Sequence, residues 1–174
     1  MKSSWKRETK ETSIEVSLET DGLGAVEVET GIELLDEMLS AFAVGASLDL
    51  KVKARGDLET GDHHTTEDTG IALGSSLGQI IKRGMGSAVF PSGDCLATVA
   101  VRFGRAGYRQ DFEFLGKEEG GMSLQNFGHF LRSLAYSGNF TLHARAEGGS
   151  DKSKVEAICT ALGKALKRAI RDKS

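Results

Sequence analysis

The sequence predicts an α+β protein built by tandem duplication of one unit, strand-strand-helix-strand-helix, with the helices packed on the sheets. Three observations support this fold class. Segments with alternating apolar and polar residues predict half-buried strands, and segments with apolar residues three and four positions apart predict helices. The same order of segments also occurs twice along the 174 residues. We therefore expect one domain made of two repeats, about 1–88 and 89–174.

Three stretches of the first repeat alternate and predict strands, over 12–20, 25–30 and 46–56. The turn residues DGLG lie between the first two stretches, so these strands are expected to form a hairpin.

Two helices are expected in the first repeat. One covers 30–44, with Thr30 as its N-cap, and the other covers 63–84 and is closed by Gly84. In the second repeat the same patterns predict strands over 95–104, 108–114 and 139–148, and helices over 123–138 and 153–170.

The two repeats can be aligned residue by residue. EDTGIALG places Glu67 seven residues before Gly74, and EAICTALG places Glu156 seven residues before Gly163. Upstream, LDLKVKARG aligns with FTLHARAEG. The alternative is a chance similarity between two amphipathic helices, but three elements match in the same order.

Composition excludes several classes of protein. A net charge of −3 argues against a nucleic-acid-binding surface, which needs an excess of Lys and Arg. No apolar run approaches the ~20 residues of a membrane span, and the N-terminal residues lack the apolar core of a secretory signal. We expect a cytoplasmic protein in which Cys95 and Cys159 are reduced packing residues.

The strongest chemical motif is GDHHTTEDTGIALG, which starts at Gly61. Glu67 stands four residues after His63 and three after His64, so it shares a helix face with either. The two histidines point about 100° apart on a helix and would serve different ions. Histidine with carboxylate suits Mn, Fe or Zn. The alternative is a solvated helix start, with Asp62 as N-cap and acidic residues near the positive end of the helix dipole.

The second repeat keeps only part of this motif. Superposing Glu156 on Glu67 places Lys152 on His63 and Ser153 on His64. A protonated lysine binds no metal, so the duplicate carries the carboxylate without the imidazoles.

The chain resembles the imidazoleglycerol-phosphate dehydratase family over almost its whole length. The segments that carry the resemblance are GDHHTTEDTGIALG, RETKETSI, TGIELLDEML and FTLHARAEG. The resemblance implies a duplicated fold related to the second domain of ribosomal protein S5. It implies trimers assembled into cages of 24 subunits, with active sites at subunit contacts. The implied reaction is that of a lyase of histidine biosynthesis, which removes water from imidazoleglycerol phosphate with the help of two Mn ions.

Site residues follow from the same resemblance. It implies Glu11 as a catalytic residue and Arg105, with Arg83 as a second candidate, as contacts to the phosphate of the substrate. The implied metal ligands are His63, His64, Glu67, His143 and Glu156.

The chain departs from the family pattern at several of these positions. A family histidine is replaced by Glu37, which is a candidate oxygen ligand, and the second histidine pair is replaced by Lys152 and Ser153. The helix lysine that the resemblance places on the phosphate is Thr160 here. His129 aligns with Glu37 in the repeat, but its family counterpart is not a ligand, so we interpret it as an ordinary, partly buried histidine.

These departures lead to a hypothesis about charge. Without a cation, Glu37, Glu67 and Glu156 would repel one another if they converged, and the ammonium of Lys152 could replace a metal ion. Two functions stay open: the dehydratase reaction with a reduced metal set, and a non-catalytic homologue that retains assembly or small-molecule binding. A generic metallohydrolase is a more distant alternative.

Overall fold

The computed structural model describes residues 1–172 and contains two four-stranded sheets and four α-helices. The elements of the first repeat are β1 (Lys2–Glu8), β2 (Thr12–Glu19), β3 (Val26–Glu29), α1 (Glu33–Ala46), β4 (Asp49–Gly56) and α2 (His63–Ile80). Those of the second are β5 (Met85–Ser92), β6 (Cys95–Phe103), β7 (Gly107–Asp111), β8 (Glu118–Glu119), β9 (Met122–Ser123), α3 (Gln125–Ser137), β10 (Phe140–Glu147) and α4 (Asp151–Arg171). A single 3-10 turn, Leu58–Thr60, precedes α2.

The two sheets have the same topology. The strand order is β1-β2-β4-β3 in the first and β5-β6-β10-β7 in the second, and the third strand of each repeat is the parallel partner of the last. The α+β fold and the duplication expected from the sequence are therefore confirmed, although each four-stranded sheet has one strand more than predicted. The short β8–β9 pair is an addition to the second repeat.

The predicted hairpin between the strands at 12–20 and 25–30 is wrong. β2 pairs with β1 and β4, and β3 pairs only with β4, in parallel. β4 has eight residues and forms a ladder with all of β2, whereas the four residues of β3 offer a short one. The Asp49 carboxylate also accepts the N–H groups of Gly24 and Ala25, each at 2.7 Å, which holds the turn before β3 against β4.

The first strand of each repeat was not predicted. β1 is an edge strand with mostly exposed side chains, so it lacks the alternation that marked the other strands. α2 ends at Ile80, before the predicted Gly84, which has a φ of 119° and leads directly into β5. The expected boundary between 88 and 89 thus falls within β5.

The start of α1 is also organised differently from the prediction. Ile32, not Thr30, occupies the N-cap position and makes no side-chain cap. Thr30 instead donates its hydroxyl to Asp36 Oδ1 (2.6 Å) and accepts the Ile32 N–H (3.2 Å). The Thr30 hydroxyl therefore still stabilises the start of α1, but from a position two residues before the N-cap.

The core lies between the sheets and the helices. In each sheet the side chains that face the helices are buried and those of the opposite face are exposed, as strand alternation requires. α2 packs on the first sheet and α4 on the second. Cys95 and Cys159 are buried free thiols, as expected, and burial raises the pKa of Cys159. Among residues 1–172, no helix is long and apolar enough to cross a membrane.

Helices of different repeats pair with each other, α1 with α4 and α2 with α3. Both pairs are in backbone contact at the glycine that ends the repeated Ala-Leu-Gly sequence. A Cβ at Gly163 would overlap the carbonyl oxygen of Phe42, and a Cβ at Gly74 would overlap that of Leu134. The motif that revealed the duplication is therefore the contact that joins the two repeats.

We expect Gly163→Ala to lower the free energy of unfolding by about 1–3 kcal/mol, because an added methyl group must push two helix backbones apart. The control is Gly107→Ala, where the new Cβ would make an ordinary contact of 3.5 Å with Thr141. Urea denaturation of both variants measures the difference. Equal midpoints for Gly163→Ala and Gly107→Ala would contradict the tight contact.

Candidate active site

His63 is the first residue of α2, and its two ring nitrogens contact the side chains of Asn126 and Glu67. The Asn126 side chain donates from Nδ2 to Asp62 Oδ2 (2.8 Å), which turns its Oδ1 towards His63 Nδ1 at 3.0 Å. Nδ1 must therefore carry the proton and donate it. His63 Nε2 lies 3.0 Å from Glu67 Oε2. A lone pair and a carboxylate cannot face each other at this distance without a proton or a metal cation between them.

Asp62 has another role than the predicted N-cap. It occupies the N-cap position of α2 but makes no side-chain cap. Its carboxylate accepts instead from Asn126 and from the backbone N–H of Ser123 (3.2 Å). Asp62 thus joins the start of α2 to the start of α3 and fixes the amide that orients His63.

His64 is oriented by a different carboxylate. Its Nδ1 lies 2.9 Å from Asp57 Oδ2, so Nδ1 donates and Nε2 is left for another partner. This hydrogen bond is the main cause that raises the pKa of His64; the loss of hydration opposes the rise, and the carboxylates of Asp57, Glu11 and Asp68 support it. The pKa of Asp57 lies below its usual value because Asp57 accepts hydrogen bonds from His64 and Thr60.

Glu11, expected to be catalytic, lies on the turn between β1 and β2 beside this group. Its backbone carbonyl accepts the N–H of Asp57 (3.1 Å), and its side chain is exposed. The structure thus brings Glu11 close to His64, although the two are far apart in sequence.

His129 differs from the sequence-based interpretation. It is exposed rather than partly buried, and its ring centroid lies 5.5 Å from that of His63. It belongs to the cluster at the start of α2, which we call the histidine cluster: His63, His64, Glu67 and His129. The sequence contains one sign of this position, the alignment of His129 with Glu37 in the repeat. His129 of α3 faces the start of α2, as Glu37 of α1 faces the start of α4.

The equivalent cluster at the start of α4 has different chemistry. Lys152 Nζ lies 3.4 Å from Glu37 Oε1, with both side chains about half exposed. Glu156 lines the same cavity of about 330 Å³ between α1 and α4. We call Glu37, Lys152 and Glu156 the lysine cluster. The Lys152–Glu37 ion pair is the contact that the hypothesis requires, in which the ammonium of Lys152 replaces a metal ion.

The two clusters are matched in geometry. The positions of His63 and His129 correspond to those of Lys152 and Glu37, and each pair of side chains meets across its helix pair. One pair is two imidazoles and the other is an ion pair. The donor set of the histidine cluster is compatible with part of a metal site, because Asn126 and Asp57 hold the Nδ1 atoms as outer partners of metal-binding histidines do. Within residues 1–172, one chain does not complete the ligand set. The lysine cluster does not fit a metal ion of its own, because an ammonium already lies beside the Glu37 carboxylate.

The remaining candidates lie away from both clusters. His143 is exposed on the outer face of β10, whereas its neighbours Leu142 and Ala144 are buried towards the helices. Arg83 follows the C-terminal end of α2, about 27 Å from its start for 18 residues at ~1.5 Å each. Arg105 is on the neighbouring turn, since Phe103 N–H donates to Gly84 O at 2.9 Å.

One chain therefore does not gather the predicted metal ligands. Within residues 1–172, no three His, Cys, Asp or Glu side chains lie close enough together to hold one metal ion. The expected convergence of Glu67 with Glu37 and Glu156 is not found in a single chain, since Glu67 belongs to the α2–α3 pair and the other two to the α1–α4 pair.

In the metal-free protein, we expect Asp57→Asn to lower the pKa of His64 towards its ordinary value. Because the folded pKa of His64 is raised, its pairing with Asp57 stabilises the fold below the unfolded pKa of histidine, and this stabilisation is lost as the pH rises through the folded pKa. Because the folded pKa of Asp57 is lowered, the stabilisation from Asp57 is lost as the pH falls through that folded pKa. NMR titration of the imidazole protons measures the shift. Asp62→Asn is the control and should leave the titration of His64 in place, so an equal shift in both variants would contradict the assignment to Asp57.

Comparisons with known proteins agree over nearly the whole chain. The family model "Imidazoleglycerol-phosphate dehydratase" matches residues 30–166. The imidazoleglycerol-phosphate dehydratase of Methanothermobacter thermautotrophicus is 43% identical over 171 residues, covering 95% of this chain and 88% of that protein.

Two solved structures have the same fold. The enzyme of this name from Pyrococcus furiosus is 32% identical with a TM-score of 0.82, covering 94% of this chain and 92% of that one. The enzyme from Staphylococcus aureus is 27% identical with a TM-score of 0.85, covering 97% and 98%. With a family model that matches most of the chain and relatives above 40% identity, the protein belongs to the imidazoleglycerol-phosphate dehydratase family.

Proposed function

We propose that this protein is a lyase of histidine biosynthesis that removes water from imidazoleglycerol phosphate, with its metal ion centred on the histidine cluster. One observation carries the proposal: His63 and His64 both donate from Nδ1 to fixed side-chain acceptors, so their Nε2 atoms are the ones available to a metal. Because an orienting partner is typical of metal-binding histidines, this favours a retained site. Family membership supplies the reaction and the substrate.

We further propose at most one bound ion per subunit, most simply Mn, held by His63 or His64 with Glu67. The metal would supply positive charge beside the imidazole of the substrate. Further ligands, His143 and Glu156, would have to come from another subunit, because His143 lies on the outer face of its sheet and Glu156 in the other helix pair.

The other residues of the chain have positioning and proton-transfer roles in this proposal. Glu11, whose carboxylate acts on the His64 imidazole, would exchange a proton with the substrate, and Asp57 would keep His64 oriented. Arg105 and Arg83 would bind the phosphate of a substrate held mainly by another subunit. This division requires a homo-oligomer, for which trimers in a 24-subunit cage are the arrangement implied by the family, and a cytoplasmic location fits such a pathway.

A second function is favoured by the lysine cluster. The Lys152–Glu37 ion pair places a fixed positive charge where the first repeat has an imidazole. A chain that lost metal binding in half of its site could persist as a non-catalytic homologue that still assembles or binds a phosphorylated small molecule.

An assay of imidazoleglycerol-phosphate dehydration with added Mn separates the two functions. We expect metal-dependent turnover that falls at least about tenfold in Glu67→Gln, since loss of even an outer partner of a metal typically costs ~10–100-fold. Glu29→Gln is the matched control, because Glu29 is an exposed carboxylate on β3. No turnover by the wild-type assembly would assign the non-catalytic function, and turnover unaffected by Glu67→Gln would exclude a role for the histidine cluster.

The role of Lys152 is tested by metal content. We expect Lys152→His to raise the Mn bound per subunit, because it restores an imidazole at the position equivalent to His63. Lys152→Arg keeps the charge and should leave the metal content as in the wild type. Elemental analysis of the three purified proteins gives the comparison. Two ions per subunit in the wild type would contradict the assignment of Lys152 as a substitute for a metal.

A further inference from the structure

The second half of α4 carries four basic residues on one face. They are spaced by three, four and seven residues from the first, which places them along a single side of the helix. Together they line a cavity of about 250 Å³ beside the C-terminal end of α1. The lining residues are Lys164, Lys167, Arg168 and Arg171, with Val44, Gly45 and Ser47. We call the four basic residues the α4 basic face.

The basic face is held in place by neutral groups. Lys167 Nζ donates to Ser47 Oγ at 2.8 Å, and Arg168 donates to the backbone carbonyl of Ser87. Lys164 Nζ lies 5.8 Å from the centre of the Phe90 ring. Ser47 is itself fixed as the left-handed C-cap of α1, with a φ of 54°. These contacts restrict the cations and leave their charge uncompensated.

The basic face is not matched by carboxylates in ion pairs among the residues that the structure describes. None of the ion pairs among residues 1–172 includes any of the four side chains. Asp172 follows the helix, and its carboxylate accepts the backbone N–H of Met85 at 2.9 Å. Four neighbouring cations in a chain with a net charge of −3 are a local excess that repels itself.

The duplication shows that the fold does not require this charge. With Glu156 aligned to Glu67, the equivalent positions are Ser75, Gly78 and Gln79 in α2 and Lys82 just after its end. Only Lys82 is basic there, and its ammonium donates to the carbonyl of Gly78 at 2.5 Å. The helix dipole favours cations in the last turn, which accounts for Arg168 and Arg171. It does not account for Lys164, which lies nearly two turns before the end of the helix.

We propose that the α4 basic face is a binding site for a phosphate group, either free or on a small molecule. Guanidinium groups bind phosphate oxygens in pairs, and ammonium groups add compact charges around them. The cavity suits a small anion rather than a folded partner. The site is distinct from the histidine cluster and from Arg83 and Arg105, and it does not depend on dehydratase activity.

Isothermal titration calorimetry of the full chain in chloride buffer tests the site, with inorganic phosphate and glycerol phosphate as separate probes. The test variant is Lys164→Gln/Arg171→Gln, because neither side chain makes a hydrogen bond within residues 1–172 and its loss should not disturb the fold. The control is Lys53→Gln/Arg55→Gln, which removes the same two charges from a polar pocket on the outer face of the first sheet.

We expect the test variant to bind phosphate at least about tenfold more weakly than the wild type, and the control to stay within about twofold. Tighter binding of glycerol phosphate would identify a phosphorylated small molecule as the ligand class, and tighter binding of inorganic phosphate would identify the free anion. The proposal is overturned if neither probe binds the wild type at millimolar concentration. It is equally overturned if both variants lose affinity alike, since this would reflect net charge alone.

Discussion

The contact between helix backbones at Gly74 and Gly163 is the constraint on which the rest of the structure depends. At each of these glycines the helix touches a carbonyl of its partner from the other repeat, which no larger residue would allow. The contact fixes α2 on α3 and α4 on α1, so the start of each motif-bearing helix lies beside a helix of the other repeat. Both candidate clusters are built across these two pairs. Neither repeat alone contains a complete cluster.

The equivalence of the two pairs also explains how their chemistry diverged. Because the backbones are fixed by glycine contacts far from the helix starts, side chains at the starts could change without altering the packing. One cluster has two imidazoles in contact with each other, and the other has an ion pair between Lys152 and Glu37. The same division is seen farther along the helices, where α4 is basic and α2 is largely neutral. The two repeats therefore differ at both ends of their last helices.

Local patterns in the sequence predict most of the helices and strands, and the repeat predicts that the two halves share one architecture. They did not predict which strands are neighbours, because a short strand such as β3 can pair on either side and the choice depends on distant β4. The sequence does not predict β1, because an exposed edge strand lacks the alternation of apolar and polar residues. His64 and Glu67 were found from spacing, but the partners that orient the histidines, Asp57 and Asn126, come from a loop and from another helix. The Lys152–Glu37 ion pair could be predicted because the repeat alignment places Lys152 at the position of His63, at the start of the equivalent helix.

The length of α2 has a consequence for how this protein would behave in a cell. The histidine cluster and Arg83 occupy opposite ends of an 18-residue helix, a separation far larger than any small substrate. A molecule that touches both kinds of group must therefore bridge two chains. In the shared site proposed above, occupancy would depend on the association of subunits, so dilution to concentrations at which the subunits separate would lower the activity per chain.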